Sequence, residues 1–548
     1  MSRPWEKTYP KEIPLRLEYP QIHTYELFSK SAESFPQNTS ILFFNKKFSY
    51  AELEEKISIF ASYLQKNGIK KGDRVALMLP NCPQFIISYY AVLRIGGIVV
   101  AFNPLYEAKE ISFQIEDSGA RTFITLDIFF EKIYSYENLK NIIIASIADY
   151  LPFPLNVLYL FKERGKLRAL KRKRGGFRHF KEILKAPPQK PDSVEINPEK
   201  DLALLQYSGG TTGIPKGVML THKNIIANTL QCRNWFARAE RGNEIFLSIL
   251  PFFHAMGMTT SLNLPVYLGA TMVVYPKFDP QKVLGLIDAH RPTLFTGVPA
   301  MYQSLTNNFT KGRWDISSIK FCISGAAPLP GEVARDFEKI TGATLVEGYG
   351  LSEASPVTHC NPLYGKRKNG SCGIPLPDTD CMISGEDTLR EIPFNEAGNL
   401  MVKGPQVMTG YWNNSDENSQ PITDGWLSTG DIARMDEEGY LFIMDRKKDM
   451  IISGGYNIFP REIEEVLYTH EKVKEAAVIG IPDKKFGERP KAFIVPKENM
   501  ELSESEIINF LKARIARFKI PKKVEFRETL PKTLIGKVLK KNLRTSSD

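Results

Sequence analysis

The chain has 548 residues, 43% hydrophobic and 24% charged, a globular and not a disordered composition, and its length predicts roughly three or four domain-sized units. Six cysteines scattered at 82, 232, 322, 360, 372 and 381, with no Cys-x-x-Cys, argue against a disulfide framework or a zinc site and suit a reducing cytoplasm. The net charge of +10 is concentrated: between Lys162 and Lys185 eleven Lys or Arg face only Glu163 and Glu182, a local +9 that leaves about +1 for the rest.

The N-terminus, Met-Ser-Arg-Pro-Trp-Glu-Lys, lacks the apolar core of a secretory signal. From Ser49 the pattern alternates. Ser49 and Glu52 form a capping box, Leu53, Ile57, Phe60 and Leu64 recur at helical spacing, and Gly68 stops the helix. Arg74 to Leu79 reads as a strand, Pro83 starts a second helix, and Ile98 to Phe102 is the next strand. This strand–helix–strand order predicts a parallel sheet covered by helices, an α/β fold.

The basic insertion, about 158–186, interleaves its cations with Leu158, Leu160, Phe161, Leu167, Leu170, Phe177, Phe180, Ile183 and Leu184. Two readings stay open, an anionic membrane surface and a solvated insertion. Nucleic acid is not expected, because no basic and aromatic stripe occurs elsewhere.

After a Pro-rich link (Pro187, Pro188, Pro191) comes Tyr207 to Gly217, with Ser208, Gly209, Gly210, Thr211, Thr212, Gly213 and Lys216 between two apolar runs. Free backbone N–H groups, hydroxyls and a lysine make a concavity for phosphate. A plain flexible connection is the bland alternative. A hydrolase nucleophile elbow at Ser208 is the other, although Gln206 stands where its first glycine belongs, and a Walker A loop is excluded because neither Gly365-Lys366 nor Gly536-Lys537 has its spacing. Thr221 can cap the following helix.

Ile245 to Pro276 contains no Asp, Glu, Lys or Arg, long enough to span a bilayer, but Pro251, His254, Gly257, Asn263, Pro265 and Gly269 interrupt it. It is expected as buried strands and turns lining an apolar pocket. The turns Pro251-Phe252-Phe253-His254, Gly297-Val298-Pro299-Ala300 and Ser324-Gly325-Ala326-Ala327-Pro328-Leu329 each follow an apolar run, where open α/β sheets place ligands.

With Tyr349-Gly350-Leu351-Ser352-Glu353 the chain resembles the adenylate-forming superfamily of acyl-CoA synthetases, luciferases and peptide-synthetase adenylation domains, most closely the bacterial long-chain fatty acyl-CoA ligases. The resemblance runs from about Tyr25 to Leu539 with the motifs in the family's order. It implies a large N-terminal domain (1–445) of mixed sheets flanked by helices and a small mobile C-terminal α/β domain (446–548). It implies that Tyr207–Gly217 handles the pyrophosphate part of ATP, that Gly325, Ala326, Ala327 and Tyr349 surround adenine, with Gly350 and Ser352 beside them, and that Glu353, with Thr211, associates with Mg²⁺. Ser428-Thr429-Gly430-Asp431 matches the ribose motif. Asp445-Arg446-Lys447-Lys448-Asp449 matches the hinge, with Asp445 as pivot and Arg446 and Lys448 toward the nucleotide, and Lys537 matches the catalytic lysine. Ser352 departs mildly from the threonine of many members and keeps the hydroxyl.

The implied reaction joins a long-chain fatty acid to coenzyme A through an acyl-adenylate, releasing pyrophosphate and then AMP. Trp235, Phe253, His254, Gly297, Val298 and Met301 are expected at the acyl group, and Gly454, Gly455 and Tyr456 at coenzyme A. His254 also reads as a hydrogen-bonded core histidine. A medium-chain or aryl acid, a catalytically dead lipid- or acyl-nucleotide-binding relative and an ATP-independent hydrolase using Ser208 are the alternatives; assembly as a homodimer is left open. Beyond Asp445, Pro460 opens a helix with Ile463, Val466 and Leu467, Ala476 to Ile481 and Ala492 to Val495 read as strands, and Ser503 with Glu506 caps another helix.

Overall fold

The Ser49 hydroxyl accepts the N–H of Glu52 and the Glu52 carboxylate accepts the N–H of Ser49, so two orphan donors are satisfied at once and the Tyr50–Lys66 helix starts there. Its Leu53, Ile57 and Phe60 are fully buried, each worth about 1.5–3 kcal/mol of transfer free energy. The computed structural model describes residues 3–133, 136, 138–172, 176–209, 215–385, 389–413, 421–532 and 538–545.

The chain divides into two compact units, one of Thr8–Asp380 with Lys403–Leu427, the other of Met1–Lys7, Cys381–Val402 and Ser428–Asp548. The first unit holds two large sheets. In one, Leu202–Gly209, Ile98–Ala101, Arg74–Met78, Thr122–Leu126 and Asn141–Ala145 run parallel, and Pro215–Thr221 adds antiparallel to Leu202–Gly209. In the other, Thr344–Gly350, Phe321–Ser324, Leu294–Gly297, Ile245–Ser248 and Thr271–Val274 are neighbouring parallel strands. The parallel order expected from the strand–helix alternation is observed, and the Pro83–Arg94 helix is buried along nearly its whole length between its neighbours.

Two expectations need correction. The uncharged stretch is not only strands and turns: Ile245–Ser248 and Thr271–Val274 are strands, but Ala255 to Tyr267 between them is helical, with an i→i+5 turn over Thr259–Asn263. Periodicity cannot separate a buried helix from a buried strand where every side chain is apolar or small, and Pro265 sits at the start of a new helical turn and does not break it. Nor is Tyr207 to Gly217 all loop. Strand pairing continues to Gly209 and resumes at Pro215, with Ser208 opposite Lys216, so the lysine and the serine are held by a hairpin. Among the described residues no helix is long and apolar enough to cross a membrane.

The second unit carries the antiparallel pairing of Asp431–Met435 with Leu441–Arg446 and a five-stranded sheet built on Val473–Asp483 and Gly487–Pro496. The Pro460–Tyr468 and Glu504–Lys512 helices bury Ile463, Leu467, Ile507 and Leu511 in its core, and Ser503 accepts the N–H of Glu506 as the sequence suggests.

Candidate active site

Four neighbouring parallel strands end on the same side; the turns after two of them carry His254 and Gly325 with Ala326, and a third closes on Tyr349 and Gly350 as its own last residues. These residues, with Trp235 and Ser352, line one cavity, joined by Cys232, Phe236, Met256, Val357, Cys360 and Leu376. Residues spread over more than a hundred positions therefore share one wall. Small residues shape it: a Cβ at Gly325 would lie 2.8 Å from Met256 Cε, and Ala326 adopts φ +64°, a left-handed conformation that few side chains tolerate.

Beside Ser352, the Glu353 carboxylate is half-buried on a single helical turn, Ser352–Ala354. Its Oε1 accepts from Ser208 Oγ at 3.2 Å and from Tyr411 OH at 3.1 Å. Its backbone carbonyl accepts the N–H of Met408, which ties the turn to the segment leading to Tyr411. Lys216 Nζ lies 5.2 Å from the Tyr411 ring centroid, and burial lowers its pKa below the ordinary lysine value against the opposing charge of Glu353. A carboxylate, two hydroxyls and a lysine thus meet at the Gly209–Pro215 end of the hairpin. Ser208 sits in a strand-to-strand hairpin and donates to a carboxylate. A nucleophile elbow requires a strand-to-helix turn and a histidine base, so the hydrolase reading fails.

Glu353 presents Oε2 with no hydrogen-bond partner among the described residues, and no cluster of three or more His, Cys, Asp or Glu that could hold a metal occurs among them. One hard carboxylate without a protein cage fits Mg²⁺, which keeps waters and binds through one or two carboxylates plus substrate phosphates.

Trp235 is fully buried at the cavity wall, and its indole N–H donates to Asn361 O at 3.0 Å. His254 caps the Ala255–Met258 helix and lines the cavity, whereas Phe253, Gly297, Val298, Met301 and Ala327 are not among the lining residues. Phe253 contributes its carbonyl to Gln206 Nε2, and Val298 and Met301 are buried in the core. Behind Tyr349 lies His359, fully buried, with Nδ1 2.9 Å from Thr358 Oγ1 and burial pushing its pKa down to about 3. Folding favours the neutral ring. Its contribution is complete above the ordinary value of 6.5 and is lost as pH falls toward 3, because only the unfolded chain takes up the proton. His359→Gln is expected to shrink the drop in urea midpoint between about pH 7 and about pH 4.

In the second unit, Asp431 is buried to 5% exposure, with Arg446 Nε 3.4 Å from its Oδ1 across the strand pair. Gly430 at φ +74° turns the chain so that the Asp431 N–H can reach Thr429 Oγ1. Asp445 accepts the backbone N–H groups of Arg446 and Arg461, at 2.7 and 2.9 Å, with Lys540 Nζ at 4.0 Å. Burial and the neighbouring Arg446 lower the pKa of Lys448. Gly454 and Gly455, at φ +57° and +83°, form the turn before exposed Tyr456, whose ring stacks on Phe518 at 4.5 Å. Gly210, Thr211, Thr212, Gly213 and Lys537 lie outside the described residues.

A family model described as AMP-binding enzyme matches residues 28–412, and one described as AMP-binding enzyme C-terminal domain matches residues 462–537. The chain belongs to the AMP-binding enzyme family. It is 48% identical over 546 residues to a long-chain-fatty-acid–CoA ligase of Bacillus subtilis (strain 168), covering 99% of this chain and 98% of that protein. It is 37% identical over 561 residues to a long-chain-fatty-acid–CoA ligase of Salmonella typhimurium, covering 99% and 98%. Among solved structures, the o-succinylbenzoate CoA synthetase of Bacillus subtilis in complex with its acyl-adenylate intermediate matches with a TM-score of 0.79 at 28% identity, over 96% of this chain and 98% of that one. The resemblance to adenylate-forming enzymes and the fold class it implied are thereby borne out. Sequence reasoning within the AMP-binding family missed Tyr411, which follows the Glu353 motif by 58 positions and reaches it only because Gly410–Tyr411 pairs with Met219 and Val218 of the hairpin. No local signal marks such a residue.

Proposed function

We propose that the chain ligates a long-chain fatty acid to coenzyme A through an acyl-adenylate, with ATP as the activating substrate. The observation that carries this reading is the single cavity shared by the adenine-motif residues Gly325, Ala326 and Tyr349 and by the apolar wall of Trp235, Cys232, Phe236 and Met256. An acyl carboxylate and a nucleotide brought together there react by attack of the carboxylate on the α-phosphate. An anion attacks an anion, so positioning and charge neutralisation dominate.

In this reading Lys216 and the hairpin hold the leaving pyrophosphate, and Asp431 accepts from the ribose hydroxyls with Arg446 and Lys448 beside it. Lys537 meets the charge building at the α-phosphate. Glu353, with Thr211, would hold Mg²⁺, which when bound neutralises phosphate charge. The thiol of coenzyme A, directed by Gly454, Gly455 and Tyr456, then displaces AMP. Asp445 serves as the pivot between domains 1–445 and 446–548 that exchange the two half-reactions. The cytoplasm is the proposed compartment, supported by six free and buried thiols.

The test is pyrophosphate release across a series of carboxylic acids, with and without coenzyme A. Release that needs ATP and rises with acyl length, with thioester formed only when the thiol is added, is the expected result; preference for benzoates or medium-chain acids would overturn the acid class. Lys537→Ala is expected to slow adenylation by about 10²–10³-fold, and a near-normal rate would remove its assigned role.

A further inference from the structure

The segment from Phe153 to Lys162 holds apolar side chains that the fold does not use. Phe153 is 83% exposed, Phe161 67%, Leu158 57% and Leu160 47%, and no residue of the Leu155–Lys162 helix is buried. The helix is nevertheless fastened to the body: Tyr159 packs against the main core and donates its hydroxyl to Asp127 Oδ1 at 3.0 Å. It is a tethered helix with a ridge of Leu and Phe in water.

The cations follow at once. Lys162, Arg164, Lys166 and Arg168 are exposed on this helix end and on the adjoining Arg164–Arg172 helix, and the sequence continues with Lys171, Arg172, Lys173 and Arg174. Only Lys166 of the four exposed cations has a nearby carboxylate among the ion pairs of the described residues, Glu163 at 3.0 Å.

We propose that this helix pair seats in the surface of an anionic lipid bilayer, the Phe153–Phe161 ridge entering the acyl boundary and the basic residues meeting lipid phosphates. Amphipathic interfacial helices combine these two contributions. A second copy of the chain fits poorly, because a two-fold contact would set a +9 segment against itself. The use of the surface rests on the ligase reading: a long-chain acid partitions into bilayers, so an enzyme seated there meets its substrate where it is concentrated.

The experiment is co-sedimentation of the full chain with vesicles of phosphatidylcholine alone or with phosphatidylglycerol. Binding is expected to need phosphatidylglycerol and to weaken with salt. Phe153→Ser with Phe161→Ser is expected to lower partitioning by about tenfold or more. Unchanged partitioning of that double variant, or equal sedimentation with both vesicle types, would overturn the proposal. So would a concentration-dependent dimer in the ultracentrifuge that the same variant abolishes. Ligation of a water-soluble acid by the double variant is expected at the level of the unaltered chain. A negative vesicle result beside normal ligation therefore falls on this surface alone, whereas vesicle binding without ligation of any acid falls on the enzyme reading alone.

Discussion

Glu353→Gln is expected to cut acyl-adenylate formation by about 10²–10³-fold while leaving the folded structure almost untouched. The substitution is nearly isosteric. Its amide oxygen can keep both hydrogen bonds now made to Oε1 by Ser208 and Tyr411, so the hairpin and the Tyr411 segment stay joined. What changes is Oε2, the carboxylate oxygen with no partner among the described residues, which becomes an N–H₂ group that repels a cation. The lost charge also acts on Lys216, whose pKa burial lowers and Glu353 supports. Without that support the lysine gives up its proton at still lower pH, and the alkaline limb of the rate profile shifts toward neutrality. Pyrophosphate exchange measured against magnesium concentration and pH checks both points. A rate unchanged at every magnesium concentration would remove Glu353 from the chemistry.

How far the sequence carries to this site depends on the range of the signal. The Tyr50–Lys66 helix was legible because its cap, its apolar spacing and Gly68 all lie within one short window. The ends of the parallel strands were legible as turns after apolar runs. The helical turns between Ala255 and Tyr267 were not, because a segment buried on all sides loses the alternation that separates strand from helix. The shared cavity was half legible. Motif order implied that Gly325, Tyr349 and Glu353 act together, but that Val298 and Met301 point into the core and Cys232 and Cys360 into the cavity depends on packing between elements distant in sequence. Tyr411 belongs to the same class, since its place is set by an edge-strand pairing and by nothing adjacent in the chain.

Gly350 shows how closely backbone packing holds the turn that carries Glu353, and Gly350→Ala is expected to cost about 3 kcal/mol of stability. A Cβ there would fall 2.0 Å from the carbonyl oxygen of Pro356. That oxygen cannot simply move aside, because it accepts the N–H of Leu351 at 2.9 Å and closes the hairpin between Thr344–Gly350 and Val357–Cys360. Relief requires opening the turn, which displaces Ser352 and Glu353 together. Gly348, two residues earlier in the same strand, is the matched control. Its added Cβ would meet Ile323 Cγ2 at 3.1 Å, the end of a side chain that can shift, so Gly348→Ala is expected to cost about 1 kcal/mol or less. Urea midpoints of the two variants separate them, and adenylation by Gly350→Ala is expected to fall further than its lost stability accounts for. Equal midpoints would show that the Pro356 carbonyl yields easily, and the turn could then not be the rigid mount that the role proposed for Glu353 calls for.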